Sequence, residues 1–313
     1  MQPLVFFGTP HFAVPTLLAL CDAGRSPSLV VSQPSRPQGR RRRVIEPPVV
    51  VQAKRQGLPT VQPASVTDPA FMDRLRDLEP AVAIVVAFGQ IFKADLLGLP
   101  RSGCINLHAS LLPRFRGASP VQAAIMAGET ISGVTTMVMD EGLDTGDILL
   151  QKEVEIGSEE TAPELGERLA TLGADLVVET LNRLEDGAVQ PKPQDDDEAT
   201  FAPRLTRDDG RIVWSREAKR VFDHIRGLLP WPGSWSLLRG EPVKVLWGLP
   251  VATASSGHRD PGTVVGLEQG KLIVSCGEGT FLGVERLQRA GRRALDAEAF
   301  VNGERLEPGE SFR

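Results

Sequence analysis

Several common features are missing from this 313-residue sequence, and each absence narrows what the chain can be. Its 3 cysteines, Cys21, Cys104 and Cys276, stand too far apart for a disulfide framework or a cysteine-rich zinc site. No apolar run approaches the roughly 20 residues that a membrane-spanning helix needs. The first residues lack the basic start and the small-residue cleavage site of a signal peptide. We therefore expect a cytoplasmic protein without membrane contacts.

Two nucleotide-binding signatures are also missing. The expected turn at residues 8–13 lacks the G-x-G-x-x-G spacing that brings a backbone close to a dinucleotide. The sequence has no G-x-x-x-x-G-K-[ST] phosphate loop, and its 4 histidines stand too far apart for a zinc cluster. We expect neither a nicotinamide cofactor nor a metal.

Charge is unevenly distributed, although the formal net charge is only −5. Acidic residues outnumber basic ones over residues 1–206, whereas basic residues are in slight excess over residues 207–313. Four consecutive arginines at residues 40–43 interrupt the acidic part, inside a loop rich in proline and glycine. Guanidinium groups bind phosphates and stack on bases, so this loop fits a nucleic-acid partner. A solvated charged loop explains it equally well.

The first half of the chain alternates short apolar runs with helix-like stretches. Strands are predicted at residues 4–7, 28–31, 81–88, 103–107 and 133–139, and helices at residues 69–78, 121–127 and 161–184. The run at residues 81–88 is unbroken and rich in Val and Ile, as in a strand buried on both faces of a parallel sheet. The alternation predicts an α/β fold with an open, Rossmann-like, parallel-type sheet.

The second part of the chain has a different pattern. Residues 190–206 contain three prolines and three consecutive aspartates, and this composition predicts an extended linker. A helix is predicted at residues 215–228, followed by short apolar runs at residues 243–247, 262–267 and 272–276 that indicate a small β-barrel. We expect a catalytic domain at residues 1–189, a linker at residues 190–206 and a barrel domain at residues 207–313.

Two polar residues stand near the end of one predicted strand. Asn106 and His108 lie at positions i and i+2, so their side chains should share one face of the sheet. Ligands of open α/β sheets bind at the carboxyl ends of such strands. A carboxamide beside an imidazole fits acyl transfer, because one group polarises a carbonyl while the other handles protons. Taken alone, the pair is more simply explained as a polar strand end bonded to loop carbonyls.

An acidic loop follows a later strand. Residues 140–147 contain four acids and two glycines. The glycines allow tight folding, and a carboxylate there could orient an imidazole. The acids do not alternate as a calcium loop requires. A plain surface turn remains the alternative.

Taken together, these segments resemble the methionyl-tRNA formyltransferases, a family of folate-dependent formyltransferases. The resemblance extends along nearly the whole chain, through residues 7–13, 33–40, 86–89, 105–118, 133–135, 139–147, 229–233 and 300–303. Folate-dependent formyltransferases in general share the Asn-x-His pair and the downstream aspartate. Residues 116–118, the arginine loop and the C-terminal part are more particular to the tRNA enzymes.

The resemblance implies transfer of formyl from 10-formyltetrahydrofolate to the α-amino group of methionyl initiator tRNA, by a monomer that needs no metal. It implies three catalytic residues: Asn106 stabilises the oxyanion, His108 stabilises it or moves a proton, and Asp144 orients His108. The implied folate-binding residues are Ser110, Leu111, Leu112, Pro113, Phe88, Gly89 and Gln90. The implied tRNA-binding residues are Arg36, Arg40, Arg41, Arg42 and Arg43.

Four residues depart from the family pattern, namely His11, Ser35, Gln90 and Phe115. They affect the loops and the pterin contacts rather than the three catalytic residues. Two other functions remain open. One is a folate formyltransferase acting on glycinamide ribonucleotide or an amino sugar, which would need neither the arginine loop nor the C-terminal domain. The other is a non-catalytic RNA-binding protein, which would have no use for all three catalytic residues.

Overall fold

The computed structural model describes residues 1–38, 43–252 and 259–313. Its helices are α1 (Val14–Asp22), α2 (Pro48–Arg55), α3 (Pro69–Leu78), α4 (Ala94–Leu97), α5 (Pro120–Met126), α6 (Ala162–Glu185), α7 (Ala218–Gly227) and α8 (Ala297–Glu304). Its strands are β1 (Leu4–Gly8), β2 (Leu29–Val31), β3 (Arg36–Gln38), β4 (Arg43–Ile45), β5 (Thr60–Val61), β6 (Val82–Val86), β7 (Cys104–His108), β8 (Arg116–Gly117), β9 (Ile131–Val138), β10 (Ile148–Glu155), β11 (Phe201–Ala202), β12 (Ser234–Leu238), β13 (Glu241–Val251), β14 (Val264–Glu268), β15 (Lys271–Ser275), β16 (Phe281–Arg289) and β17 (Leu295–Asp296).

The chain divides into two compact units. The first comprises Met1–Pro120, Ile131–Glu155 and Gly166–Ala202. The second comprises Val121–Thr130, Ile156–Leu165 and Pro203–Arg313.

The first unit is built on a sheet with the strand order β10-β9-β7-β6-β1-β2-β5. Strands β5, β2, β1, β6 and β7 run parallel, while β9 pairs antiparallel with both β7 and β10. The register places Asn106 of β7 beside Val85 of β6 and Met137 of β9. The predicted Rossmann-like α/β fold is confirmed, and the antiparallel strands at one edge make the sheet mixed.

An aromatic cluster fills one face of this sheet. The Phe7 ring of β1 packs edge-on against Phe88 at 5.3 Å and against Phe92 at 4.9 Å between ring centroids. Val85 and Cys104 belong to the same core cluster. Because side chains alternate along a strand, Asn106 and His108 share the face of Cys104. The two polar residues therefore continue a face whose other members form a hydrophobic core.

Helix α3 has the bounds that the sequence predicts. Asp68 caps it by accepting a hydrogen bond from the Phe71 backbone N–H at 3.0 Å, and Pro69 occupies the first turn. Its buried side, Phe71, Met72 and Leu75, packs against the core of the first unit. Among the described helices, none has the length and apolar character of a membrane span.

Two segments expected to be irregular contain ordered pairing. In the segment around the four arginines, where the sequence predicts a loop, β3 and β4 pair antiparallel. A proline is tolerated in such a two-stranded ribbon, because the ribbon leaves one side of each strand free of bonds. In the expected linker, β11 pairs in parallel with β8, so this segment lies along the first unit as far as Ala202.

The second unit is a small antiparallel barrel with the strand order β12-β13-β16-β15-β14. The C-terminal tail bonds to both edge strands. Arg313 exchanges two backbone hydrogen bonds with Leu237 of β12, each 2.8 Å long, and Val264 of β14 donates to the Glu310 carbonyl at 2.7 Å. Because these bonds connect β12 to β14 through the tail, the sheet closes on itself. The predicted β-barrel is therefore confirmed.

Candidate active site

Strand β7 delivers two polar side chains to its carboxyl end. Asn106 is half-buried, while His108 is buried and paired across the sheet with Thr135. Within the described parts of the chain, the Asn106 carboxamide makes no hydrogen bond. Its N–H donors therefore remain free to bind a ligand at the strand end.

The His108 ring lies between two acceptors. Its Nδ1 atom is 3.6 Å from Oδ2 of Asp144, and its Nε2 atom is 3.0 Å from the backbone oxygen of Phe115. A carbonyl oxygen only accepts, so Nε2–H donates to Phe115, while Nδ1 lies close to the Asp144 carboxylate without a hydrogen bond to it. The two contacts fix the plane of the ring as well as its position.

Asp144 is itself held in place. Its Oδ2 atom accepts a hydrogen bond from the Gly117 backbone N–H at 2.8 Å. Its backbone has a φ of 55°, in the left-handed region that residues other than glycine rarely adopt. Contacts elsewhere in the fold must therefore stabilise this turn, and the turn directs the carboxylate towards His108.

The other acids of the same loop have different surroundings. Asp140 accepts from the Thr145 hydroxyl at 2.8 Å and so braces the loop internally, while Asp147 is exposed. A side chain at Gly146 would place its Cβ 1.7 Å from the Val138 carbonyl oxygen, so the loop can pass here only with glycine. The structure thus brings Asp144 to His108 and leaves the other two aspartates away from it.

The segment expected to bind folate, residues 110–113, is held by hydrogen bonds to the neighbouring strand β9. Ser110 and Leu112 are buried, whereas Leu111 and Pro113 are half-buried. The Thr135 hydroxyl donates to the Ser110 carbonyl at 2.7 Å and accepts from the Leu112 N–H at 3.2 Å. The backbone is therefore rigidly placed, and Leu111 and Pro113 offer the accessible surface.

The second expected folate segment has one fully exposed member. The Phe88 ring is buried, and its carbonyl accepts from the Gln33 amide at 3.3 Å. The Gln90 side chain accepts from the Val66 backbone N–H at 2.8 Å, which commits it to the neighbouring loop. Gly89 between them is exposed with a φ of 86°.

The structure describes two of the five expected tRNA-binding arginines, Arg36 and the backbone of Arg43. Arg36 is exposed and donates to the Gln33 side-chain oxygen at 3.3 Å. Arg43 begins β4, where its backbone alone is described. Arg40, Arg41 and Arg42 lie outside the described residues.

Sequence reasoning missed two residues that contact the site from the expected linker. The Gln194 amide donates to the Asp144 carbonyl at 2.9 Å, and Thr200 Oγ1 accepts from the Phe115 N–H at 2.8 Å. The first pair is separated by 50 residues in sequence and the second by 85. Local patterning carries no signal over such distances, and the run of prolines and aspartates indicates only an extended chain.

Two family models match the chain. One, described as formyl transferase, covers residues 1–181, and the other, described as formyl transferase C-terminal domain, covers residues 204–305.

Curated relatives and solved structures agree with these matches. A methionyl-tRNA formyltransferase of Geobacter metallireducens is 45% identical over 306 residues, covering 98% of this chain and 97% of the relative. A methionyl-tRNA formyltransferase of Acidobacterium capsulatum is 47% identical, covering 97% of each chain. The crystal structure of an N-formyltransferase from Helicobacter canadensis, in complex with folinic acid and dTDP-3-aminofucose, matches with a TM-score of 0.69. It shares 16% identity, covering 91% of this chain and 99% of that one, and therefore supports the fold alone.

Proposed function

The chain belongs to the methionyl-tRNA formyltransferase family, and we propose that Asn106, His108 and Asp144 carry out its reaction. The enzyme is a transferase that formylates methionyl-tRNA for translation initiation. We propose 10-formyltetrahydrofolate as the formyl donor and the α-amino group of methionine on initiator tRNA as the acceptor.

One observation carries the catalytic proposal. His108 contacts the Asp144 carboxylate at 3.6 Å and the Phe115 carbonyl at 3.0 Å, beside the Asn106 carboxamide with its free donors. A developing negative charge on a formyl oxygen needs donors that are already aimed at it. The Asn106 amide supplies such a donor, and the His108 ring lies on the same face of the sheet.

The reaction moves one formyl group and exchanges one proton. The amine nitrogen of the methionyl ester attacks the formyl carbon, a new C–N bond forms, and the formyl oxygen becomes an oxyanion. The oxyanion then collapses, the bond from the formyl carbon to the folate N10 breaks, and N10 takes up a proton as the amine loses one. Asn106 donates to the oxyanion, His108 stabilises it electrostatically, and Asp144 keeps the imidazole in position.

The residues proposed for folate fit a flat, partly apolar ligand. Leu111 and Pro113 are half-buried on a segment fixed by Thr135, and Gly89 is exposed without a side chain that would block its backbone. Phe88 and Gln90 contact the folate through their backbone groups in this proposal, because their side chains already have partners. Such a combination of apolar contacts and backbone groups is usual in small-molecule sites.

For the tRNA we propose two contact regions. The arginine loop, Arg36 with Arg40–Arg43, supplies cations for the tRNA phosphates near the acceptor end. Residues 207–313 supply a barrel that contacts the tRNA backbone. In this proposal, residues 1–189 form the catalytic domain and residues 190–206 connect the two parts. The enzyme acts as a monomer in the cytoplasm, where its tRNA substrate is found.

Three substitutions test the catalytic proposal. Asn106→Ala should lower kcat by about 100-fold or more, because it removes an oxyanion donor. His108→Ala and Asp144→Asn should also lower kcat strongly, while the thermal unfolding temperature stays at the wild-type value. Formyl transfer from labelled 10-formyltetrahydrofolate to charged initiator tRNA is the measurement. Asp147→Asn in the same loop is exposed and should keep wild-type turnover. A near-normal kcat in Asn106→Ala or His108→Ala would remove that residue from the mechanism.

A further inference from the structure

Gln194 uses its whole side-chain amide to hold the loop that carries Asp144. Its Nε2 atom donates to the Asp144 carbonyl at 2.9 Å and to the Gly146 carbonyl at 2.7 Å. Its Oε1 atom accepts from Arg116, from Nε at 3.1 Å and from a terminal nitrogen at 2.9 Å. Both amide hydrogens and the oxygen are therefore committed, and every partner belongs to the first unit.

Arg116 fixes the direction in which the amide points. Its side chain is only 4% exposed, and it pairs with the Asp196 carboxylate at 2.8 Å as well as with Gln194. A guanidinium offers donors alone, so the oxygen of Gln194 must face Arg116 and the NH2 group must face the loop. The buried cation thus aligns the two donors that grip the Asp144 turn.

The same strand segment touches both partners of the catalytic imidazole. Arg116 lies between Phe115, whose carbonyl accepts from His108, and Gly117, whose N–H donates to Asp144. The Thr200 carbonyl accepts from the Arg116 N–H at 2.8 Å, and β11 pairs with β8 alongside it. Residues 194–202 therefore brace the backbone on each side of the His108–Asp144 contact.

The Asp144 turn depends on such support. A left-handed φ of 55° is unfavourable for an aspartate and persists only where surrounding contacts outweigh its cost. Gln194 binds the carbonyl of that residue and the carbonyl two positions later. Loss of both bonds would let the turn relax and would move the carboxylate away from His108.

We propose that Gln194 is a positioning residue for formyl transfer, acting through Asp144 on His108. The residue touches no substrate; it fixes the turn from which Asp144 reaches the imidazole. This inference rests on the catalytic roles proposed above for Asp144 and His108.

Two substitutions test it. Gln194→Glu places a carboxylate against two carbonyl oxygens and removes both donors, while it keeps an acceptor for Arg116. Gln194→Met keeps the length and removes the donors without adding a charge. Each should lower kcat at least about tenfold, since small displacements of catalytic groups cost that much, while KM for 10-formyltetrahydrofolate changes less than about twofold. Gln190→Glu makes the same chemical change on an exposed glutamine of the same segment and should leave kcat unchanged.

A double substitution separates positioning from general damage. If Gln194 acts through Asp144, then adding Gln194→Glu to Asp144→Asn should cause almost no further loss of kcat. The pH dependence of kcat in Gln194→Glu should also take the shape found for Asp144→Asn. A purely structural role would leave that shape unchanged and would multiply the two losses.

The outcomes distinguish this inference from the proposed function. Wild-type kcat in both Gln194→Glu and Gln194→Met, or losses that multiply with Asp144→Asn, would overturn the role of Gln194 while leaving the catalytic residues in place. An unaffected Asp144→Asn would overturn the catalytic role of Asp144 and, with it, the inference. A wild-type enzyme that transfers no formyl to charged tRNA would overturn the function itself.

Discussion

His108 and His224 lie among different neighbours. His108 donates from Nε2 to the Phe115 carbonyl at 3.0 Å, and its Nδ1 lies 3.6 Å from the Asp144 carboxylate. His224 in the second unit lies near the Asp209 carbonyl, 2.8 Å from Nε2, and the Ser234 hydroxyl, 3.1 Å from Nδ1. A hydroxyl can donate to Nδ1 while Nε2–H donates to the carbonyl, so the neutral ring satisfies both contacts.

Burial lowers the pKa of His224 below its ordinary value of 6.5, because desolvation disfavours the charged ring. The unfolded chain therefore binds the proton at higher pH than the folded protein does. The free energy of unfolding should be greatest above pH 6.5 and should fall as the pH decreases from 6.5 towards the lowered pKa.

Urea unfolding of wild type and His224→Gln, followed between about pH 5 and pH 7.5, measures this contribution. Glutamine can still donate to the Asp209 carbonyl but does not titrate, so its curve should fall less steeply on the acid side. The same acid dependence in both proteins would contradict the assignment to His224.

The three residues proposed as catalytic differ in how far the sequence alone identifies them. Asn106 and His108 share a face because residues two apart in a strand must do so, which spacing reveals. Asp144 stands among other acids within eight residues, and spacing cannot choose between them. Only the fold turns Asp144 towards His108, while Asp140 bonds within its own loop.

At the level of elements, α7 is held by a buried ion pair. Asp223 is 1% exposed and accepts from Nε of Arg226 at 2.8 Å. Arg226 also donates to the Glu160 carbonyl at 2.6 Å, which ties α7 to residues 156–165 of the same unit. Lys219 reaches the same carboxylate from a half-exposed position. The buried ion pair thus fixes α7 to the rest of the second unit by polar contacts, on a helix face that is otherwise apolar.

Arg226→Met should lower the free energy of unfolding of the second unit by about 3–5 kcal/mol, because it leaves a buried carboxylate without its main partner. Lys219→Met removes an exposed partner of the same carboxylate and should cost less than about 1 kcal/mol. Chemical denaturation of both variants checks this difference. Equal losses would show that burial of the pair does not govern its contribution.

Elements with a strong local pattern were predictable, and those made by distant pairing were not. Helix α3 has a cap, an early proline and an amphipathic face, and each is visible within a dozen residues. Strands β3 and β4 escaped prediction because charge and proline mask their pairing, and β11 escaped because its partner β8 lies far away in the sequence. The contacts of Gln194 likewise join residues far apart in the sequence, so sequence patterns could not reveal them.

At the level of the whole molecule, the two units suggest a division of labour. The first carries Asn106, His108 and Asp144 on a sheet whose strand ends suit a small ligand. The second is a closed barrel, a form that other proteins use to bind single-stranded nucleic acid. The barrel alone does not select the acceptor, because the structure of a sugar 3N-formyltransferase also matches 94% of this chain. Acceptor choice is therefore the property that most directly reflects the complete chain.

The most direct test offers three acceptors separately to the purified enzyme with labelled 10-formyltetrahydrofolate: methionyl initiator tRNA, glycinamide ribonucleotide and an amino-sugar nucleotide. Label should appear on the methionyl-tRNA alone, and Asn106→Ala should abolish most of the transfer. Label on either small acceptor with none on the tRNA would contradict the proposed function.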